Sequence, residues 1–298
     1  MNAALAAAAA IAEATGERFD LIATQPVGGG CIHTALQLTG RAAQGEQRYF
    51  AKVNEADRAA MFSAEADGLA ALRGAGAVYV PRVITQGAND DASWIVLEWL
   101  ELTSLAPANA AALGASLAAQ HRIAQRAFGW PRDNFIGATP QRNTQSNDWL
   151  GFWRDRRLNA QLRLAAANRL PSRMIDRGER LAADCEAFFR SYAPAPSLLH
   201  GDLWGGNAAA LVDGTPVVFD PAVYVGDREA DVAMAELFGG FPPDFLSAYR
   251  AHYPLDGGYT VRRDFYNLYH VLNHANLFAG GYVRQSADAI EKLLAEIA

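Results

Sequence analysis

The chain has 298 residues, of which 51% are hydrophobic and 19% charged, so it can bury a large core in one or two domains. Its net charge of −6 argues against a nucleic-acid-binding protein, which usually carries a basic face. Two cysteines, Cys31 and Cys185, exclude a disulfide framework, and neither a basic leader nor a membrane-length apolar run is present, so the sequence predicts a cytoplasmic protein.

A helix and a β-rich region are predicted at the start of the chain. The alanine-rich stretch Asn2 to Glu13 favours a helix that ends at Gly16, because glycine readily adopts the left-handed conformation that follows helices. Leu21 to Val27 and Ile32 to Thr39 have the composition of two strands.

A glycine run joins these two predicted strands. Glycine lets a backbone approach phosphate groups closely, and its free N–H groups can bind anions, but three glycines also form an ordinary hairpin turn, so both interpretations stay open. Gly28 and Gly30 match the first two glycines of the kinase pattern G-x-G-x-x-G, whereas His33 stands at the third position.

A lysine on the next strand and a glutamate on the next helix form a candidate ion pair. Lys52 lies within the predicted strand Arg48 to Val53, and Glu65 lies within a helix predicted from Asp57 to Arg73. A strand lysine paired with a helix glutamate positions the α- and β-phosphates in kinases. The alternative is that Glu65 is a solvated helix residue.

Two further strands, Val80 to Thr85 and Trp94 to Leu97, are predicted before the chain becomes helical. In a kinase layout the residues that follow, Glu98, Trp99 and Leu100, form the hinge whose backbone groups bind adenine. The predicted helices beyond it are Asn109–Arg126, Asp148–Asn168, Ser172–Tyr192, Pro243–Tyr253, Arg262–Phe278 and Ala287–Ile297.

Two side-chain clusters in the helical region have more than one interpretation. Trp149, Phe152 and Trp153 have the spacing of a helix face that packs into a core, although they could also wall a sugar site. His270, Asn273 and His274 share one helix face and could form a polar patch that faces a substrate cleft. A zinc site is rejected there, because too few ligands are present at known spacings.

The stretch from Ser197 to Pro221 carries the catalytic signal. Two leucines lead into His200, and Asp202 and Asn207 follow with the spacing H-x-D-x-x-x-x-N of a kinase catalytic loop. A β-rich run then ends in Asp220. Phosphoryl transfer needs a carboxylate at the acceptor hydroxyl and two oxygen ligands for Mg²⁺, so Asp202 is the candidate base and Asn207 and Asp220 are candidate metal ligands. The alternative is a simple turn rich in Gly, Asn and Asp.

The residues after Asp220 indicate the class of kinase. Only Pro221 to Gly226 separate it from the next predicted helix, which leaves no room for a long activation loop. We therefore expect a kinase for a small molecule or an adduct that is active without phosphorylation. Asp231 either complements the dipole at the start of that helix or anchors the backbone of the catalytic loop.

Nearly the whole chain resembles the fructosamine kinase (ketosamine-3-kinase) family, a branch of the protein-kinase-like fold that is related to aminoglycoside phosphotransferases. The segments that carry the resemblance are LLHGDLWGGN, FDPAVYVGDRE, FGGFPPDFLSAY, GGGCIH, FAKVN, EADGLAALR and FWRDRRLNAQL. The resemblance implies an α+β fold of two lobes: residues 1–100 as a β-rich nucleotide-binding lobe with its leading helix, and residues 101–298 as a helical lobe with the catalytic loop and substrate site.

The resemblance also implies the reaction and the roles of single residues. ATP and Mg²⁺ are the expected cofactors, and the substrate is a ketosamine, free or linked to protein, whose phosphorylated form falls apart and so frees the amine. The family's base falls on Asp202, its metal ligands on Asn207 and Asp220, and its phosphate-binding lysine on Lys52 with Glu65 as partner.

The sequence leaves two other functions open. The chain could be a different small-molecule kinase, for an aminoglycoside or a choline-like acceptor, or a non-catalytic nucleotide-binding module. The filled catalytic positions argue against the module. Trp204, Asn273 and His274 are the candidate substrate residues, and as aromatic and amide side chains they favour a neutral sugar.

Overall fold

A computed structural model describes residues 3–28 and 32–297, and its first lobe is built on one antiparallel sheet. The five strands lie in the order β1-β2-β3-β5-β4. Their bounds are β1 Asp20–Pro26, β2 Thr34–Ala42, β3 Gly45–Asn54, β4 Val83–Ala88 and β5 Ser93–Glu98. All five strands were predicted from the sequence, with ends that differ by a few residues.

Two helices pack against this sheet. Helix α1, Ala3–Thr15, ends before Gly16, whose φ is +69°, and helix α2, Ala59–Ala75, ends before Gly76 at φ +70°. Four alanines of α1 are buried with Phe19, Leu38 and Trp94, so their small side chains let the helix lie close to the sheet. They are Ala4, Ala6, Ala7 and Ala8. The predicted stop of the first helix at Gly16 is confirmed.

The second lobe contains three small sheets around the catalytic loop. Strand β6, Leu102–Thr103, pairs with β10, Ala208–Leu211, which also pairs with β11, Pro216–Val218. The other pairs are β9, Pro196–Leu199, with β12, Tyr224–Asp227, and β7, Asn134–Ile136, with β8, Thr139–Gln141. The sequence did not predict six of these short strands, because segments of two to four residues show no measurable alternation. They are β6, β7, β8, β9, β10 and β12.

Helices make up the rest of the second lobe. They are α3 Pro107–His121, α4 Trp149–Trp153, α5 Asn159–Ala167, α6 Ser172–Ala183, α7 Glu229–Leu237, α8 Pro243–His252, α9 Tyr259–Phe278 and α10 Gly281–Ala295. A π-helical turn, Arg154–Leu158, joins α4 to α5. The side chains of Trp149, Phe152 and Trp153 are buried, so this cluster belongs to the core and does not wall a sugar site.

A shared core connects the two lobes. Phe62 and Leu69 of α2 and Ile95 of β5 belong to the same buried cluster as Leu113 of α3 and Leu198 of β9. The boundary predicted at residue 100 lies between β5, which belongs to the first sheet, and β6, which pairs with the second lobe. Within the described part of the chain, no helix is both long enough and apolar enough to cross a membrane.

Candidate active site

The catalytic loop after β9 passes through Gly201, a position where no other residue type fits. Gly201 has a φ of +82°, a region that L-residues rarely adopt. A Cβ atom at this position would overlap the carbonyl oxygen of Ala222, whose N–H donates to the carbonyl of His200 at 2.9 Å. The loop and the segment after Asp220 are therefore in direct backbone contact.

Asp231 of α7 anchors this loop, as one of the two sequence interpretations held. Its carboxylate accepts the backbone N–H of His200 at 2.7 Å and that of Gly201 at 2.8 Å, and it contacts Nε2 of His121 at 3.3 Å. Burial alone would raise the pKa of Asp231, but the interactions with His121, His200 and the Gly201 N–H bring it below its ordinary value. Asp231 therefore stays ionised and fixes the loop.

His200 connects the catalytic loop to the segment that carries Asp220, a role that the sequence analysis did not assign. Its Nε2 lies 3.0 Å from the carbonyl of Phe219, and the N–H of Asp202 donates to its Nδ1 at 3.3 Å. Burial lowers the pKa of His200, so the ring is neutral with its proton on Nε2. The position of His200 in the H-x-D pattern is the sequence feature from which this role could have been predicted.

The three predicted oxygen-bearing residues lie together. Nδ2 of Asn207 donates to the carbonyl of Asp202 at 2.9 Å and to Oδ2 of Asp202 at 3.1 Å, and it lies 3.4 Å from the carbonyl of Asp220. Asp220 has a φ of +57°, an uncommon backbone conformation outside glycine that marks a constrained position. Burial, followed by the charge of Asp220, raises the pKa of Asp202 to about 7.

Lys52 lies at the centre of a three-residue ion cluster. Its Nζ is 2.8 Å from Oε1 of Glu65 and 2.5 Å from Oδ1 of Asp220. Burial by itself would lower the pKa of Lys52, but the two carboxylates outweigh it and raise the pKa above the ordinary lysine value. The pair predicted between Lys52 and Glu65 is thus present, and Lys52 also reaches the candidate metal ligand.

Helix α2 is held in the position that brings Glu65 to Lys52. A Cβ atom at Gly68 would lie 3.0 Å from Cγ2 of Val223, in the segment that follows Asp220. Nη1 of Arg132 also contacts Asp67 Oδ2 at 2.5 Å and Ser63 Oγ at 3.2 Å. The second lobe therefore packs against both ends of the turn that carries Glu65.

The glycine loop is described only in part. Gly28 follows β1, whereas Gly30 and Cys31 lie outside the described residues. His33, at the third position of the pattern, is tied to β3 because Nδ2 of Asn54 contacts both the His33 Nδ1, at 2.8 Å, and the Ile32 carbonyl, at 3.0 Å. Burial, followed by the charge of Lys52, lowers the pKa of His33 to about 4.

The predicted hinge joins the lobes immediately after β5. The N–H of Glu98 donates to the Arg82 carbonyl at 3.0 Å, and its carboxylate accepts from the Arg82 N–H at 2.7 Å, so Glu98 is committed to the sheet edge. Trp99 and Leu100 lie outside the strands. Their backbone N–H and C=O groups do not pair with a neighbouring strand of the sheet. An adenine-binding hinge needs such unpaired groups to bind the base.

The three candidate substrate residues do not lie in equivalent places. Trp204 is 39% exposed beside the catalytic loop, and His274 is half-buried. Asn273 is only 3% exposed, accepts from Gln161 at 3.1 Å and donates to the Ile136 carbonyl at 3.3 Å. Its side chain therefore ties α9 to its neighbours and is not presented to a cleft.

The donor set of the catalytic loop suits Mg²⁺. Asp220 keeps 40% of its side chain exposed, and because Asn207 uses its Nδ2 to fix Asp202, its oxygen is the atom left for a ligand. Carboxylate and amide oxygens are the ligands that Mg²⁺ accepts. Within the described residues no three His, Cys, Asp or Glu side chains could hold a metal together. Mg²⁺ usually keeps several waters and takes phosphate oxygens beside one or two protein ligands, so one amide and one carboxylate suit it.

The chain is similar to known proteins over nearly its whole length. The model of the fructosamine kinase family matches residues 3–296. A probable ketoamine kinase of Synechocystis is 43% identical over 289 residues, which are 95% of this chain and 94% of that protein. A chloroplastic protein-ribulosamine 3-kinase of Arabidopsis thaliana is 40% identical over 267 residues, 89% of this chain and 80% of that protein.

Solved structures show the same fold. A candidate fructosamine-3-kinase from Haemophilus somnus superposes with a TM-score of 0.88 at 29% identity, covering 97% of this chain and 96% of the other. An ADP-bound aminoglycoside phosphotransferase has a TM-score of 0.59 at 14% identity, with 92% of each chain covered, and shares the fold alone. The predicted α+β, protein-kinase-like architecture is confirmed.

Proposed function

This chain belongs to the fructosamine kinase family, and from that membership we propose that it transfers the γ-phosphoryl group of ATP to a hydroxyl group on the sugar of a ketosamine. The observation that supports the proposal most directly is the convergence of Asp202, Asn207, Asp220 and Lys52 at the junction of the lobes. Each has the side chain that one part of phosphoryl transfer requires.

Asp202 is the residue that receives the proton of the acceptor hydroxyl. As the hydroxyl oxygen bonds to the γ-phosphorus, the bond from that phosphorus to the β–γ bridging oxygen breaks, ADP leaves, and the proton passes to Oδ of Asp202. The hydrogen bond from Asn207 at 3.1 Å orients that carboxylate. A pKa raised to about 7 suits a group that must accept a proton near neutral pH.

Lys52 and Asp220 act on the nucleotide side of the site. Lys52 holds the α- and β-phosphates, with Glu65 behind it at 2.8 Å to fix the direction of its ammonium group. Asn207 and Asp220 are the residues that would hold Mg²⁺, which when bound neutralises charge on the phosphate oxygens. In this proposal Trp99 and Leu100 supply backbone groups to adenine, and the glycine run that begins at Gly28 binds the phosphates.

The substrate class comes from the relatives and from the short segment after Asp220. The Arabidopsis relative is named for protein-bound ribulosamine, so we propose a ketosamine carried by an amine as the acceptor. Loss of the phosphorylated sugar then frees the amine, which makes the enzyme a deglycation enzyme. The cytoplasmic location predicted from cysteine use stays a prediction.

ADP release by the purified protein tests this function. The assay uses Mg-ATP with ribulosyl-lysine or fructosyl-lysine, and Asp202→Asn is measured in parallel. We expect turnover in the wild type and a loss of about 10²–10⁴-fold in the variant, the range typical for removal of a general base. ATP binding without turnover would move the assignment to another acceptor, such as an aminoglycoside or choline, and no ATP binding would contradict a kinase.

A further inference from the structure

Five aromatic rings form a continuous row that begins beside the catalytic loop. This aromatic row consists of Trp204, Phe238, His274, Phe278 and Tyr282. Ring centroids are 6.5 Å apart from Trp204 to Phe238, 5.0 Å from Phe238 to His274, and 5.6 Å from His274 to Phe278. Tyr282 lies 5.0 Å from His274 and 6.5 Å from Phe278.

The aromatic row is where the protein exposes large aromatic side chains. In the part of the chain that the structure describes, the exposed Phe and Trp side chains are Trp204, Phe238 and Phe278, at 39%, 38% and 52%, and all three belong to the row. Isolated exposed apolar residues need no explanation, but a contiguous exposed aromatic surface marks a binding site.

Close glycine contacts fix the inner end of the row. The indole of Trp204 covers Gly206, where a Cβ atom would overlap the ring. A Cβ atom at Gly205 would lie 2.7 Å from Cα of Gly240, so the loop that carries Phe238 packs on the catalytic loop backbone to backbone. The N–H of Trp204 donates to the carbonyl of Asp202 at 3.2 Å. The row therefore begins on the catalytic loop itself, two residues after Asp202.

The row has more rings than a sugar alone would cover. An open-chain sugar of six carbons is comparable to two extended residues, about 7 Å. Successive ring centroids from Trp204 to Phe278 are 6.5, 5.0 and 5.6 Å apart, so a sugar of that length matches about one step between neighbouring rings and leaves the other rings for other groups. If the sugar hydroxyl lies at Asp202, the outer rings contact whatever is bonded to the sugar.

We propose that the outer part of the aromatic row, Phe238, Phe278 and Tyr282, binds the amine-bearing carrier of the substrate, such as the side chain and flanking backbone of a glycated lysine in an exposed peptide segment. The inference rests on the proposed ketosamine kinase activity. The secondary amine of such an adduct is protonated, and aromatic faces attract cations and also cover the methylene stem of lysine. The row thus makes the enzyme prefer a ketosamine on a peptide over one on a short amine.

Two matched substrates test the proposal. One carries the same ketose on methylamine, and the other carries it on the central lysine of a short glycine- and alanine-flanked peptide. The readout is the ratio of kcat/KM for the peptide substrate to kcat/KM for the methylamine substrate. We expect this ratio to fall about tenfold in Phe278→Ala through KM for the peptide, and to be kept in Phe278→Tyr, which preserves the ring.

Val212→Ala is the matched control, because Val212 is 76% exposed and lies on the loop after β10, outside the row. An unchanged ratio in Phe278→Ala, or equal losses on both substrates, would overturn the proposal. A change in the molecular mass of Phe278→Ala by sedimentation, with the ratio unchanged, would assign the row to self-association instead. If the wild type phosphorylates neither substrate, the proposed function itself is contradicted. That result differs from an unchanged ratio, which contradicts only the role of the aromatic row.

Discussion

The ammonium group of Lys52 on β3 lies 2.5 Å from the carboxylate of Asp220, which is 168 positions further along the chain. One residue comes from the sheet of the first lobe and the other from the segment that follows β11 in the second. Because Glu65 also contacts Lys52 at 2.8 Å, a single cation links β3, α2 and the catalytic segment. The same atom, Nζ of Lys52, therefore holds the two lobes together and fixes the position of α2.

Replacing Lys52 with methionine should lower both the stability and the activity of the protein, for different reasons. The side chains of Lys52 and Glu65 are 8% and 11% exposed, so Lys52→Met leaves a buried carboxylate unpaired and should lower the free energy of unfolding by about 3–5 kcal/mol. We also expect kcat/KM for ATP to fall by about 10² or more. Urea unfolding and steady-state kinetics measure the two effects.

A double variant separates the two effects of Lys52. Lys52→Met with Glu65→Leu removes the unpaired buried charge and should recover much of the stability while activity stays lost. Lys292→Met is the control, because Lys292 is the other lysine of the chain and its side chain is 63% exposed. Activity in the double variant would contradict the phosphate-binding role.

Asp202→Asn should stabilise the protein above neutral pH. Burial raises the pKa of Asp202 to about 7, whereas an unfolded Asp titrates near pH 4. The folded state therefore binds the proton more tightly, and stability falls as pH rises from about 4 through about 7. At pH 8, without metal or nucleotide, we expect the variant to be more stable by on the order of 2 kcal/mol.

Urea unfolding of both proteins across pH 4 to 8 measures this difference, which should close toward pH 4. The comparison within one pH cancels the titration of all other groups. A wild type that is more stable than Asp202→Asn at pH 8 would show that the carboxylate is not held in an unfavourable environment.

Asp231→Asn should slow the reaction although Asp231 contacts the backbone of the catalytic loop and not the substrate. The Asp231 carboxylate accepts two backbone N–H groups, at 2.7 and 2.8 Å, and an amide in its place would turn an NH₂ group toward one of these donors. We expect kcat to fall about 10- to 100-fold with KM for ATP nearly unchanged. Asp288→Asn, an exposed change on α10, is the control, and normal kcat in Asp231→Asn would count against the anchoring role.

Gly201→Ala should be far more damaging than Gly45→Ala. Both glycines have positive φ, +82° and +115°, so both substitutions carry the backbone cost of about 1–2 kcal/mol. Only at Gly201 would the new Cβ also overlap a backbone oxygen, that of Ala222, whereas at Gly45 it meets nothing within 4 Å. We expect an added loss of about 3 kcal/mol at Gly201 and loss of activity. Equal melting temperatures of the two variants would refute the contact.

Phosphatase treatment should leave the activity unchanged. The segment after Asp220 forms β12, which pairs with β9 from Tyr224 opposite Leu199 to Asp227 opposite Pro196. A strand in that place needs no phosphate to order it, and α2 is already held by Arg132 and Gly68. Steady-state kinetics before and after treatment, with mass spectrometry of the protein, measure this. A fall in kcat on dephosphorylation would contradict the prediction.

Much of the site followed from the sequence because its signals are local. The spacing from His200 to Asn207 fixes a short loop between strands, and such a loop brings its own polar groups together wherever the rest of the chain lies. The strand that carries Lys52 and the helix that carries Glu65 were also readable from local pattern and glycine stops. The chemistry of the reaction could therefore be predicted from residue types and spacing.

Tertiary structure alone decided which faces meet. The contact between Lys52 and Asp220 depends on how the two lobes meet. The burial of Asn273 and the aromatic row depend on how α9 packs against its neighbours, and sequence spacing along one helix does not say which neighbour covers it. Asn273 and His274 are adjacent in sequence, yet one is buried and the other lies in the row. Side chains on neighbouring positions point in directions about 100° apart, so packing assigns them to different surroundings.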